Sequence, residues 1–476
     1  MIDLNAVSPA GGIHGEVAGY DVIVVGGGTA GWVAALAAAR QKARVLILER
    51  KGYLGGVLGS GLPINGFFDA GQHQVVKGYA HELVERLRSV GGSSGYRLTD
   101  LWFAGQVFVD PALIKPTLID LLYEAGVHIV LFSQVVDVVM SGRRLAGVLV
   151  QRKTGTAVYF GKRFVDASGD AVLAHLAGSP RQKVGRMQPP TLVFRLENVD
   201  LERLREHLAR HPGDFMQGRM RPGKEMDPQF LKTTDMFFLL PGEVSNVKIR
   251  GDYVPLIDRF MFSSTPTGRG VVVNMLRARG VDGNSSESLS RATVELYRNL
   301  LPLVEYFRER IPGFEKCFLC DSEPEIQLRE TRRIDGEYTL TLGDVEEGRS
   351  FSDNIAVGGY FIDIHSSEDT HGTWKLLEKP YGIPYRALLP RELEGVVAAG
   401  RCISGTEEAS ASYRVMATCM AMGQAAGTAA ALSAGAPGDR ATGSVSPGAE
   451  TPLRELDVES LQEILVREGM ILEVRA

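Results

Sequence analysis

The sequence predicts an α/β protein in which a parallel nucleotide-binding sheet is interrupted by an inserted α+β domain. Three observations predict it. A β-branched run at Val22–Val25 leads directly into a glycine-rich turn and an alanine-rich helix. Two more buried-strand signals, one ending in Asp166 and one in Ala399, lie far along the chain, and each has a glycine behind it. Between them stands a long stretch that mixes strand-like runs with one amphipathic helix.

The first unit can be justified element by element. Val22–Val25 is short, apolar and continuous, as a strand buried on both faces of a parallel sheet requires. Gly26, Gly28 and Gly31 follow in G-x-G-x-x-G spacing. The first permits a tight turn, the second lets backbone approach a pyrophosphate, and the third lets helix and strand pack closely. Ala34–Arg40 continues as a helix whose N-terminal amides and dipole face the phosphates. Arg44–Leu48 is a second strand, and Glu49 at its end is placed to take adenosine ribose hydroxyls and to repel a 2′-phosphate. Strand, glycines, helix, strand and acid in that order predict an ADP-containing cofactor.

Later segments bear on which cofactor it is. Gly55-Gly56 puts a glycine pair where a cofactor longer than NAD would need backbone near its pyrophosphate and ribityl chain. Phe164–Asp170 is a strand ending in a small-residue turn, and Gly395–Arg401 is another buried strand followed by glycine. From Ser410 a small-residue helix is predicted to run to about Leu432, offering a second N-terminus to negative charge.

Together with Arg329–Ile334, Gly336-Glu337-Tyr338 and Phe361–His365, these motifs resemble the FAD-dependent oxidoreductases of the glutathione-reductase/fumarate-reductase superfamily. The likeness is to the bacterial group with a strand, Ala-Gly-Arg and helix ending, here Ala399-Gly400-Arg401, and it spans nearly the whole chain. It implies a Rossmann-like FAD-binding domain, FAD as cofactor, Glu49 on the adenosine ribose and the last helix pointing its N-terminus at the flavin pyrimidine edge. The contact set it implies is Gly26, Gly28, Thr29, Ala30, Gly31, Glu49, Arg50, Gly55, Gly56, Val135, Ser168, Gly169, Asp170, Gly400, Arg401, Arg414 and Val415.

The flavin motifs assign residues 20–180 and 385–432 to one discontinuous FAD-binding domain, and 181–384 to an inserted substrate or cap domain. Within the insertion, Thr191–Leu196 and Gly270–Met275 read as strands, and a helix near Ser290–Arg310 is ended by Ile311-Pro312-Gly313. Residues 433–452, rich in Gly, Ser, Ala and Pro, read as a flexible linker. Residues 453–476 regain helical spacing at Leu461, Ile464 and Leu465 and are expected to dock on the body.

Composition narrows the function classes. A chain of 476 residues with 44% hydrophobic residues can bury a large core. A net charge of −5 without a dense Lys/Arg block disfavours nucleic acid as a partner. No run reaches about 18 apolar residues, so no transmembrane helix is expected. Met1–Gly19 lacks a basic region followed by an apolar one, which makes cytoplasm the default compartment. Cys317 and Cys320 have the spacing of a redox or metal pair, but no second pair nearby completes four ligands; the four cysteines read as free thiols. A homo-oligomer is compatible with the sequence.

A flavin enzyme works by orienting a substrate carbon and handling the accompanying proton. His365 is expected as the acid/base, with Tyr360 or Asp363 adjusting it; the alternative is a structural hydrogen bond between domains. Arg332 and Arg333 are expected to hold a substrate carboxylate or polarise a carbonyl, or else to pair with Glu330, Asp335 and Glu337. His73 either borders the flavin or is an ordinary loop histidine. No second G-x-G-x-x-G occurs, so electrons are expected to enter from a small organic substrate and leave to oxygen, a quinone or a carrier. The expected function is an FAD-dependent dehydrogenase or oxidase. A monooxygenase or halogenase is second, because Gly26–Trp32 also resembles the opening of flavin-dependent tryptophan halogenases. Their Trp-x-Trp-x-Ile-Pro signature is not met by Trp32, Trp102 and Trp374. A flavoprotein of the tRNA-uridine modification type is third, disfavoured by the acidic charge.

Overall fold

The computed structural model describes residues 19–182, 185, 187–215, 220–239, 260–367, 372–436 and 449–474. It opens with β1 (Gly19–Val25), α1 (Gly31–Arg40) and β2 (Val45–Leu48), followed by α2 (Tyr79–Ser89), β3 (Ser93–Leu98) and β4 (Gly105–Val109). Then come α3 (Pro111–Glu124), β5 (His128–Val130), β6 (Gln134–Ser141), β7 (Arg144–Arg152), β8 (Gly155–Asp166) and α4 (Val172–Leu176). The middle carries β9 (Thr191–Glu197), α5 (Leu201–Arg210), α6 (Pro228–Thr233), β10 (Met236–Leu239), β11 (Phe260–Ser264), β12 (Gly270–Arg277), α7 (Ser286–Arg310) and β13 (Phe318–Ser322). After α8 (Leu342–Glu346), β14 (Asn354–Gly358), β15 (Ile362–His365), β16 (Gly372–Lys375) and β17 (Tyr381–Pro384) come β18 (Val396–Ala398), α9 (Glu407–Tyr413), α10 (Met416–Ser433) and α11 (Val458–Arg467).

The first sheet has the order β5-β2-β1-β8-β7-β6, with β18 also on β8. β5, β2, β1, β8 and β18 run parallel, and Val24 sits between Ile47 and Val165 in register. Its central strands β1 and β2 are apolar and almost wholly buried, with α1 packed on both and α10 on β1 and β8. β7 and β6 extend it as antiparallel strands. Arg163 on β8 donates to Ser433 O at 3.0 Å and Thr451 O at 2.9 Å, so the end of α10 and the chain before α11 are held to the sheet. Leu461, Ile464 and Leu465 of α11 are buried.

The second sheet is antiparallel, in the order β10-β11-β12-β9-β13. One side of α7 buries Leu296, Leu300, Leu303, Val304 and Phe307 in the core around this sheet, at the spacing of an amphipathic helix. α7 starts at Ser286 behind an N-cap, Ser285, whose hydroxyl accepts from the Ser288 amide at 3.2 Å. The fold is therefore α/β, a Rossmann-like parallel sheet with an inserted α+β part.

α1 and α10 pack with backbones almost touching. A Cβ on Gly427 would lie 2.1 Å from the Ala34 carbonyl oxygen, and one on Gly423 would lie 2.3 Å from that of Ala30. Only glycine permits this approach.

One expectation is corrected here. The segment from Ser410 is not a single helix: α9 and α10 meet at a bend of 92°. Val415 is extended there, at φ −68° and ψ 154°. Arg414 donates to the Asp363 carbonyl oxygen at 2.8 Å and to Gln188 Oε1 at 3.3 Å, contacts a straight helix through this point would not place. Tertiary partners override local helix propensity. Residues 437–448 of the expected linker lie outside the described residues.

Candidate functional site

A cavity of about 340 Å³ lies where the first sheet's C-terminal strand ends meet the second sheet. Open α/β sheets bind ligands at this edge. At one end, Gly26, Gly28, Thr29, Ala30, Glu49, Arg50 and Gly56 line it. Gly26, with φ +95°, would put a Cβ 2.7 Å from the Ala167 carbonyl oxygen. Gly28 differs, for a Cβ there would meet nothing within 4 Å. The space over Gly28 belongs to the cavity, so its missing side chain leaves room for a ligand and not for a neighbouring residue. Gly55 does not line the cavity but braces the loop that does: its amide donates to Gly27 O at 2.8 Å, and its carbonyl accepts from the Thr29 hydroxyl at 3.2 Å.

Glu49 is buried, its Oε2 accepting from the Gly27 amide at 2.7 Å and its Oε1 from the Lys51 amide at 2.8 Å. This fixes a carboxylate beside the first turn. Arg50 pairs both guanidinium ends with Glu325, at 2.8 and 2.6 Å, and Lys51 Nζ lies 3.0 Å from the same carboxylate. Next along the wall come Ser168, Gly169 and Asp170. Arg401 Nε donates to Gly169 O at 2.8 Å and Nη2 to Asp170 Oδ1 at 2.8 Å; the Thr331 hydroxyl donates to the same Asp170 oxygen at 2.6 Å. Gly400, Arg414 and Val415 also face the cavity, and the 92° bend delivers the N-terminus of α10 to it. Gly31 is used for helix packing, and Val135 is buried in β6 opposite Val150; neither lines the cavity.

At the other end stand Tyr360, Asp363 and His365. β15 presents Asp363 and His365 on one side of the strand, as two-residue spacing requires. His365 Nε2 lies 3.3 Å from Asp363 Oδ2, and the His365 amide donates to Gln188 Oε1 at 3.0 Å. Asp363 Oδ1 accepts from Trp374 Nε1 at 2.7 Å. Burial pushes the His365 imidazole well below its usual range, and Arg277 and Arg329 push the same way, against the opposing pull of Asp363. Burial alone would raise Asp363; His365, Arg414 and Arg329 instead hold it well below the usual carboxylate range.

Arg332 and Arg333 do not reach the cavity. Arg333 is buried against Glu330, Nη1 to Oε2 at 3.1 Å, and Glu330 also accepts from the Gln188 amide at 2.8 Å. Besides Arg50 and Arg401, the arginines that do face it are Arg277, Arg329 and Arg414. Arg329 stands four residues before Arg333 in the same motif, yet sequence reasoning missed it, and Arg277 carried no local signal at all. His73 is an exposed loop residue 3.3 Å from Asp69. All four cysteines are free thiols.

The residues present fit FAD: an open glycine turn, a fixed carboxylate beside it, a helix N-terminus across the cavity and a titratable group at the far end. Among the described residues, no single helix is long and apolar enough to cross a membrane.

The profile of a family described as FAD dependent oxidoreductase matches residues 21–447. The chain is similar to a geranylgeranyl bacteriochlorophyll reductase-like protein from Thermoplasma acidophilum, 16% identical, with TM-score 0.42 over 88% of this chain and 78% of that one. It is also similar to the flavin-dependent brominase Bmp2, 13% identical, with TM-score 0.47 over 89% and 81%. A third likeness is to the myxobacterial chondrochloren halogenase CndH, 15% identical, with TM-score 0.43 over 94% and 78%.

Proposed function

The chain belongs to the FAD dependent oxidoreductase family, and from that premise we propose that it oxidises a small organic metabolite, as a dehydrogenase or oxidase. Bound FAD supplies the hydride acceptor. The observation that carries the reading is that the glycine cradle and the Asp363–His365 pair line one cavity.

Each end has its task. Gly28 leaves room for the dinucleotide, Gly56 lets its loop approach the Gly28 backbone, and Glu49 offers its remaining lone pairs to ribose hydroxyls. His365, held neutral by burial, accepts at an imidazole nitrogen the proton leaving a substrate hydroxyl or amine. Asp363 orients that ring and stabilises the imidazolium as it forms, while Trp374 fixes Asp363. Phe103, Phe238 and Phe361 line the same cavity and limit water around the reacting carbon. In this scheme residues 20–180 and 385–432 form the FAD-binding domain and 181–384 the substrate domain, the enzyme works in the cytoplasm, and electrons leave to oxygen, a quinone or a carrier.

The test is anaerobic mixing of the yellow holoenzyme with a panel of metabolites. Bleaching of the flavin by an organic donor supports the reading. Reduction by NADPH alone, with oxygen or halide then appearing in an organic product, overturns it in favour of a monooxygenase or halogenase.

A further inference from the structure

We propose that the substrate carries a carboxylate, held at the His365 end of the cavity by the guanidinium groups of Arg277, Arg329 and Arg414. This deepens the oxidation reading and rests on it for the word substrate.

The three arginines form one cluster built around the segment 188–191. Arg277 ends β12 directly opposite Thr191 in the antiparallel register. Arg329 donates to Thr191 Oγ1 at 2.8 Å and to the Pro189 carbonyl oxygen. Arg414 reaches Gln188 Oε1 at 3.3 Å and the Asp363 carbonyl oxygen at 2.8 Å. Both Arg329 and Arg414 thus spend these bonds on neutral acceptors, which position a guanidinium without cancelling its charge. Arg414 Nε has no hydrogen-bond partner among the described residues.

The carboxylates along the cavity do not balance this cluster. Among the described lining residues, Glu49 is engaged with backbone amides, Asp170 with Arg401 and Glu325 with Arg50 and Lys51. Asp363 remains: it accepts from Trp374, lies 3.3 Å from the neutral His365, and stands 4.0 Å from Arg414 Nη2, so it offsets one of the positive charges. Even with Arg277 left out of the count, Arg329 and Arg414 facing this one carboxylate inside a cavity leave positive charge for a ligand to meet. Burial pushes Arg277 down to about 10 against the pull of Asp363, and burial together with repulsion from Arg277 and Arg414 pushes Arg329 well below its usual value. A planar guanidinium fork matches a carboxylate edge to edge. The aromatic walls, Phe103, Phe238 and Phe361, suit an apolar body attached to it.

The experiment reads binding without turnover. Holoenzyme is titrated with benzoate, with the isosteric neutral benzamide and with inorganic phosphate, following the flavin difference spectrum. Benzoate is expected to saturate, with benzamide weaker by roughly 30-fold or more. Arg329→Met should weaken benzoate by roughly 30- to 10³-fold while leaving FAD content intact, and Arg329→Lys should fall between. Equal binding of benzoate and benzamide overturns the proposal, as does tighter binding of phosphate, which would assign the cluster to a phosphoryl group. Should the arginine variants lose FAD, the wild-type comparison decides alone. Benzoate binding with no organic donor able to bleach the flavin would leave the anion site standing and remove the oxidation reading. A neutral metabolite that bleaches the flavin while benzoate has no effect does the reverse.

Discussion

A Cβ on Gly31 would lie 1.8 Å from the carbonyl oxygen of Gly26, so the start of α1 and the turn after β1 meet backbone to backbone. Gly28, between them, faces open cavity. Three glycines of one motif therefore carry different burdens, two structural and one for the ligand.

Substitution separates those burdens. Gly28→Val should fold with near-wild-type far-UV circular dichroism yet purify with little or no FAD, measured after acid precipitation. Gly31→Val should lose about 1–3 kcal/mol or more of stability from overpacking, seen as a lowered denaturation midpoint whether or not FAD is added. Full flavin occupancy in Gly28→Val would mean that the cavity over that residue is not the dinucleotide site.

His365→Ala should slow flavin reduction by roughly 10²- to 10⁴-fold with FAD content retained. Because burial holds His365 well below its usual range, it is already a free base at neutral pH. kcat/KM should therefore be flat across neutral pH and fall only well below about 6.5, the ordinary value for histidine. A rate that halves near pH 6.5 or above would assign the proton to another group.

The same histidine makes stability depend on pH. In the unfolded chain it takes up a proton near pH 6.5, whereas in the fold it resists protonation to a lower pH. The unfolded state therefore binds more protons between those two values, and stability should decline as pH falls below about 6.5. Denaturation series at several pH values should show that slope in wild type and a shallower one in His365→Gln.

Arg333→Ala should cost about 3–5 kcal/mol, since it leaves the buried Glu330 carboxylate without its ion partner. The folded fraction should still reduce its flavin at the wild-type rate. A stable variant with impaired reduction would return Arg333 to the site.

What could be read from the sequence follows from how local each constraint is. The βαβ unit was legible because tight turn, close helix approach and terminal acid are enforced by residues within one segment, Gly26 to Glu49. The arginine cluster was not, because Arg277, Arg329 and Arg414 come from three distant segments and meet around Gln188, Pro189 and Thr191. Arg333 was a natural candidate by residue type, but its partner stands three residues away, at Glu330. The bend between Tyr413 and Met416 contains no glycine or proline, so local propensity gave no sign of it; partners on β15 and at Gln188 impose it.

The backbone contact between α1 and α10 has a bearing on how the protein is made. α1 is synthesised long before the glycines it packs against, Gly423 and Gly427. β18 likewise joins β8 only after the whole antiparallel sheet has been synthesised. The dinucleotide cradle must wait, partly formed and with its apolar strands unprotected, until α10 has been made. Cofactor capture thereby waits on a helix made long after the glycine turn, and a chain truncated before Gly427 should be a client of chaperones and proteases, its cradle left incomplete.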